Sequence, residues 1–274
     1  FHQKLVKHHC YTLLNSDDYK KAFIGYNASC EILDMHVGNL YKLYNELNLK
    51  KDTYFIYTSD HGGMAGEHLF LDHGALYEGS IKIPLVFIGP EVKSNIINEN
   101  VSTLDVYPTI CELLNMGDLE KTNGQSLYKS IKQGNLKYLK NKVYCEYHGA
   151  GTNNSGFVLK DKNFKYINIP NEGDMLFNLE TDPHELNDLS QDINFNKIRN
   201  MLKNELLNKI DIHKINELVF EDQLKKKMEL KKNGILEKGL KKRGYELDYK
   251  KLNVRKEIYK KYLSMNKPRR QPNI

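Results

Sequence analysis

The sequence has no tryptophan, no cysteines at paired spacing and no long apolar run, and each absence removes a class of protein. The four cysteines, Cys10, Cys30, Cys111 and Cys145, show neither the spacing of a metal-binding pair nor the density of a disulfide scaffold. They read as free buried thiols, which fits a reducing compartment, so a cytoplasmic location is expected. The best apolar run, Ile83 to Ile88, is far short of the roughly 18 residues that a membrane-spanning helix needs. It reads as a buried strand, and no membrane association is expected. Residues 1–7 contain no apolar signal core. The sequence opens on Phe1 rather than Met, so the expectation is that an upstream segment is missing, and any targeting signal with it. Without tryptophan the aromatic content is 18 Tyr and 10 Phe. The tyrosines fall on strand and helix periodicities, which indicates core packing rather than stacking on nucleic acid.

The net charge of +6 hides an asymmetry. From Glu221 onward there are 18 Lys and Arg against 7 Asp and Glu, whereas the first 220 residues carry 23 against 28. The body is mildly acidic and the tail basic. The tail's basic residues are interleaved with Leu, Ile and Tyr, as on a solvated helical face, so nucleic acid is not an expected partner. Leu224, Met228, Ile235 and Leu240 suggest a helical arm that packs on a neighbouring subunit, and a homo-oligomer is expected through it.

Along the chain, Tyr26, Cys30, Leu33, Val37, Leu40, Tyr44 and Leu47 recur at spacings of three and four, which predicts a helix over 18–48 capped by Asp17 or Asp18. Tyr54 to Thr58 is a short strand without polar alternation, as in the interior of a parallel sheet. A second buried strand runs from Leu85 to Ile88 between Pro84 and Pro90. A helix is expected over 106–116, started at Asp105 to Pro108 and ended by Gly117, and a strand over 143–147. Three further strands, 156–160, 164–167 and 175–179, are joined by turn residues and predict a small antiparallel sheet. Asp182-Pro183 reads as a turn leading into a helix, and beyond about Asp192 the pattern is helical. This texture divides the chain into residues 1–140, 141–190 and 191–274.

Between the first two strands, Asp60, His61, Glu67, His68 and His73 gather on one glycine-containing loop, where chemistry concentrates in such folds. A carboxylate and an imidazole side by side at a strand end can both reach one hard divalent cation. The same residues also suit a plain turn in which Asp60 caps the next segment.

These residues lie within a longer pattern. Thr58-Ser59-Asp60-His61-Gly62, Gly66-Glu67-His68, Leu76-Tyr77-Glu78-Gly79-Ser80 and Ile83-Pro84-Leu85 resemble successive motifs of the sulfatase family of the alkaline-phosphatase superfamily. So do Leu104-Asp105-Val106-Tyr107-Pro108-Thr109, Gly124-Gln125-Ser126-Leu127, Cys145-Glu146-Tyr147-His148 with Lys165-Tyr166, and Leu176 to Glu185, all in the family's order. The Glu-Tyr-His segment and the helical tail resemble the choline-sulfatase-like and phosphonate-hydrolase-like branch. The resemblance implies an α/β fold: the C-terminal part of a mainly parallel sheet flanked by helices, plus the small antiparallel sheet and the helical tail.

It also implies hydrolysis of a small sulfate ester. In the family, a formylglycine made from the Cys or Ser of C/S-x-P-x-R attacks the ester, helped by a divalent cation, calcium or alternatively manganese. Asp60 and His61 match two of the metal ligands. His73 and His68 are the candidate catalytic residues, and His73 stands where relatives carry a lysine that contacts the sulfate. Glu78 is expected to hold the loop by accepting backbone N–H bonds. No cysteine or serine here has proline two residues on and arginine four on, so the nucleophile is absent and the chain alone is expected to be inactive. A phosphonate monoester or phosphodiester hydrolase fragment uses the same half-site. A non-catalytic remnant or binding module is the reading from another class.

Overall fold

A computed structural model describes residues 2–9, 11–117, 121–134, 139–149, 151–152 and 154–234. Its helices are α1 (His2–His8), α2 (Ser16–Glu46), α3 (Glu78–Ile81), α4 (Val106–Leu113), α5 (Tyr128–Gln133), α6 (Asn196–Lys209) and α7 (Ile212–Lys232). Its strands are β1 (Phe55–Thr58), β2 (Leu85–Ile88), β3 (Lys142–Tyr147), β4 (Gly156–Asp161), β5 (Phe164–Ile169) and β6 (Gly173–Asn178). The chain divides into one unit ending at Asn216 and another beginning at Glu217. Within the second unit the described residues continue α7, on which Leu224 and Met228 are exposed. Ile235, Leu240 and the remainder of the expected arm lie outside the described residues.

The four strands β3 to β6 form an antiparallel meander with regular register, and alternation along them builds the core. Successive side chains of a strand point to opposite faces. Phe157, Leu159, Tyr166 and Leu176 point to one face, where α6 lays Leu202 and Leu206 over them with Ile212. Val158, Ile167, Ile169 and Phe177 point to the other, against Leu5, Val6, Met64, Phe70, Ala75, Leu76 and Tyr77. Both faces are therefore covered, the second by α1 together with the loop between β1 and β2. Side chains from before and after residue 140 share that cluster.

Lys160 and Lys165 stand directly opposite each other across β4 and β5, on the face covered by the loop. Like charges so placed repel. Glu78, the first residue of α3, resolves the conflict: its Oε2 accepts from Lys160 Nζ at 2.8 Å and its Oε1 from Lys165 Nζ at 3.2 Å. Lys165, with no solvent exposure, also lies 2.7 Å from Glu185 Oε1, and Glu185 Oε2 accepts the Glu78 backbone N–H. Glu78 thus does not accept backbone N–H bonds as expected; its carboxylate binds two lysines, and Glu185 takes the N–H. Burial pulls the Glu78 carboxyl upward, but the charges and hydrogen bonds of Lys165 and Lys160 outweigh it and hold it below its usual range. Glu185 has one lysine rather than two. Burial, seconded by the charge of Glu78, pushes its carboxyl above the usual range.

The long helix begins two residues earlier than expected and is capped by Asn15. The Asn15 side chain accepts the N–H groups of Asp17 and Asp18, while Asp18 returns a bond to the Asn15 backbone, so the aspartates assist the cap rather than form it. Both its ends are anchored: near the start the Tyr19 hydroxyl donates to the Tyr11 and Leu69 carbonyls, and near the end Tyr44 is buried, its hydroxyl donates to the Thr53 carbonyl, and Tyr41 and Tyr44 meet Phe55 edge-on. Most of the predicted apolar stripe, including Tyr26, Leu33, Leu40 and Leu47, is exposed. β1 and β2 pair antiparallel, where the absence of polar alternation pointed to a parallel interior. That pattern carries no information about the direction of the neighbouring strand, and the two strands are not the buried ones expected: Thr58 and Val86 are exposed and the other residues half-buried. Asp182 does form a turn, accepting the N–H groups of Leu186 and Asn187, but no helix follows it until the single 3-10 turn at Ile193–Phe195.

This packing makes two outcomes testable. Replacing Leu202 by Ala should cost about 2–5 kcal/mol in urea denaturation, while Leu40→Ser on the exposed stripe should change stability by about 0.5 kcal/mol or less; equal costs would contradict the core assignment. A carboxyl with a raised folded value keeps its proton longer in the native state, so folding gains as pH falls through that value and loses as pH rises. The stability of wild type relative to Glu185→Gln should therefore decline as pH rises from the ordinary carboxylate range toward neutrality, and a flat or rising difference would contradict it.

Candidate active site

The loop leaving β1 is built on a strained backbone. Ala65, His68 and Leu69 adopt left-handed conformations, with φ of 49°, 51° and 60°, each of which costs roughly 1–2 kcal/mol. The buried Met64 and Phe70 on either side fix it to the sheet. Gly62 and Gly74 are required by close approach. A Cβ on Gly62 would lie 2.3 Å from the Gly79 carbonyl oxygen, and one on Gly74, at φ 93°, would lie 2.8 Å from the Tyr147 ring.

On this frame Asp60, His61 and His73 come together. The rings of His61 and His73 are stacked, with centroids 3.9 Å apart and planes at 18°. His61 Nδ1 lies 2.9 Å from the Gly62 carbonyl oxygen and donates to it, so Nε2 is the nitrogen His61 can offer to a ligand. His61 Nε2 lies 3.7 Å from Asp60 Oδ2. Two donors at that separation are spaced as neighbouring ligands of one cation with bonds of about 2.3–2.6 Å, subtending roughly 90–110°. The Asp60 carboxyl is held below its ordinary range by the His61 backbone N–H that it accepts and by its own backbone, so it is ionised at neutral pH.

Asp72 is the member that sequence reasoning missed. Its Oδ1 accepts the His73 backbone N–H at 2.8 Å and lies 2.6 Å from His73 Nδ1. Partial burial pulls the Asp72 carboxyl up, but the bonds from the His73 backbone and ring outweigh this and hold it low. Nδ1 is thereby committed, and Nε2 is the nitrogen His73 can offer to a ligand. The available signal was the acidic residue adjoining a histidine, the same pairing that singled out Asp60 and His61.

His68 is placed differently. Its ring stacks on Tyr77 with centroids 3.8 Å apart, Nε2 lies 2.9 Å from the His184 carbonyl oxygen, and burial pushes its basicity down. Glu67 faces His184 at 3.1 Å rather than the histidine stack. Elsewhere, Ser155 Oγ, His148 and Glu146 form a line with separations of 2.8 and 2.9 Å. It resembles a nucleophile with its base, but Ser155 has no solvent exposure and its backbone N–H is held by Asn216, so no substrate reaches it.

Among the described residues no group of three or more His, Cys, Asp or Glu side chains is arranged to hold a metal ion. Asp60 and His61 fit a hard divalent cation as two members of a coordination shell, and calcium takes about six to eight oxygen ligands. No helix among the described residues is long and apolar enough to cross a membrane. Cys30, Cys111 and Cys145 are free thiols.

A family model described as sulfatase matches residues 15–116, and one described as N-sulphoglucosamine sulphohydrolase, C-terminal, matches residues 66–211, more than half of the chain. The chain is 29% identical over 191 residues to arylsulfatase K of Mus musculus, covering 66% of this chain and 34% of that protein. It thus spans about a third of the length of the curated relatives it matches. A solved 2-O GAG sulfatase superposes with a TM-score of 0.66 at 20% identity, over 75% of this chain and 49% of that one. The phosphonate monoester hydrolase of Agrobacterium radiobacter superposes at 0.58 and 23% identity, over 64% and 38%. These two likenesses carry the α/β fold. The two family models overlap over residues 66–116, and the chain belongs to the sulfatase family of the alkaline-phosphatase-like superfamily.

Proposed function

We propose that this chain supplies the C-terminal part of a sulfate-ester hydrolase, contributing half of a metal site and a proton-handling histidine but not the nucleophile. One observation carries the reading: Asp60 Oδ2 and His61 Nε2 lie 3.7 Å apart, as neighbouring ligands would, with the His73 ring stacked on His61. Asp60 and His61 would hold the cation, calcium first and manganese second. A bound divalent cation would supply Lewis-acid polarisation of an ester oxygen. The Gly62 carbonyl keeps the proton of His61 on Nδ1, which directs Nε2 to the cation. Asp72 fixes the His73 ring so that Nε2 can bind or protonate an anionic ester oxygen. His68, committed to Tyr77 and His184, supports the loop rather than moving protons. The identity to arylsulfatase K favours a sulfate ester over a phosphonate.

The absent C/S-x-P-x-R motif and the exposed apolar face of α2 support the view that a further polypeptide segment completes the site and covers Leu33 and Leu40. The free thiols suit a reducing, cytoplasmic setting.

Manganese provides the test, since it broadens nearby NMR signals. Substoichiometric Mn²⁺ should broaden the ring signals of His61, then His73, before those of the exposed His213, with a dissociation constant of about 1 mM or weaker, and Asp60→Ala should remove the preference. Uniform broadening of all histidines would contradict the metal role. The purified chain should not hydrolyse an aryl sulfate; turnover that Asp60→Ala abolishes would contradict the division of the site.

A further inference from the structure

His61 and His73 are separated along the loop, yet their rings stack with about half of each side chain open to solvent. Stacking of two rings contributes about 0.5–1.5 kcal/mol beyond buried area, too little to order the intervening backbone, which costs about 1–2 kcal/mol per residue. Something else must set their separation. The residue that touches both ends is Ser80, with a relative exposure of 3%. Its carbonyl oxygen accepts the N–H of Gly62, the neighbour of His61, at 2.8 Å. Its Oγ accepts the N–H of Gly74, the neighbour of His73, at 3.0 Å.

We propose that Ser80 is the positioning residue of this site, joining the backbones next to His61 and His73 through its two oxygens so that the rings meet. The inference rests on the reading that these histidines form the functional site. Glycine on both sides of the junction lets the three segments approach, since a Cβ at Gly62 or Gly74 would collide with its surroundings. Ser80 is itself fixed. It lies in α3, whose first residue Glu78 is held by Lys160 and Lys165 through its carboxylate and by Glu185 through its N–H. Asp72 orients the His73 ring, and its carbonyl accepts the N–H of Met64, but neither contact reaches His61. The carbonyl bond to Gly62 survives any side-chain replacement, so the hydroxyl of Ser80 is the separable half of the junction.

The experiment is NMR of the full 274-residue chain, histidine-labelled and metal-free in EDTA. The wild type should show a ring-to-ring NOE between His61 and His73 and mutual ring-current shifts. Ser80→Ala should lose the NOE and move both rings toward random-coil shifts while the amide pattern of β4 and β5 persists. Ser80→Thr, which keeps the hydroxyl, should restore the NOE. Leu206→Ala, which weakens the opposite face of the sheet, should leave it intact. An undiminished NOE in Ser80→Ala, failure of Ser80→Thr to restore it, or equal loss in Leu206→Ala would each overturn the proposal. If Ser80→Ala does not fold, Ser80→Cys supplies a weaker acceptor of similar shape; a weakened NOE supports the proposal and an unchanged one overturns it. With no metal present, these outcomes are independent of whether Asp60 and His61 bind a cation.

Discussion

The loop bearing Asp60, His61 and His73 depends on a carboxylate held between two lysines. Lys160 and Lys165 face each other across β4 and β5, and without Glu78 their charges would repel under a layer of apolar side chains. Paired, they attach the start of α3 to the sheet. Buried ion pairs of this kind are weak evidence for net stability, because taking the charges out of water is costly, but removing one partner typically costs about 3–5 kcal/mol. The network therefore acts chiefly on position. A purely apolar contact would let the loop slide, whereas Glu78 can satisfy both lysines and Glu185 in one place only. From that point Ser80 reaches Gly62 and Gly74.

Much of the site was legible because its residues are local in sequence and chemically distinctive. Asp60 and His61 adjoin each other at a strand end, and the motifs around them occur in order over much of the chain. The antiparallel meander was legible from alternation and turn residues. Less legible were facts that depend on what lies across the fold. Lys165 looks like an ordinary strand lysine until Glu78 and Glu185, from two distant segments, arrive beside it. Asp72 and Ser80 act through hydrogen bonds whose partners no spacing rule picks out. His68 shares a loop with His73 but turns instead to Tyr77 and His184. The apolar stripe of α2 was read correctly as periodicity, while its burial is a property of what packs against it.

The family membership motivates the proposed half-site. A sulfatase chemistry needs a nucleophile and a cation shell; under the proposed reading Asp60 and His61 would supply two donors of that shell, beside a histidine whose ring Asp72 orients. Its exposed α2 face suits further packing partners.

Amide hydrogen exchange measured at Gly62 and Gly74 tests the central claim most directly, that Ser80 ties the site loop to the sheet. Both glycines lie on a loop, where unbonded amides exchange freely. If Ser80 holds them, both amides should exchange as slowly as that of Ile167 in β5 and should open together with it. Exchange at the rate of an unprotected peptide at either glycine, while Ile167 stays protected, would contradict the account.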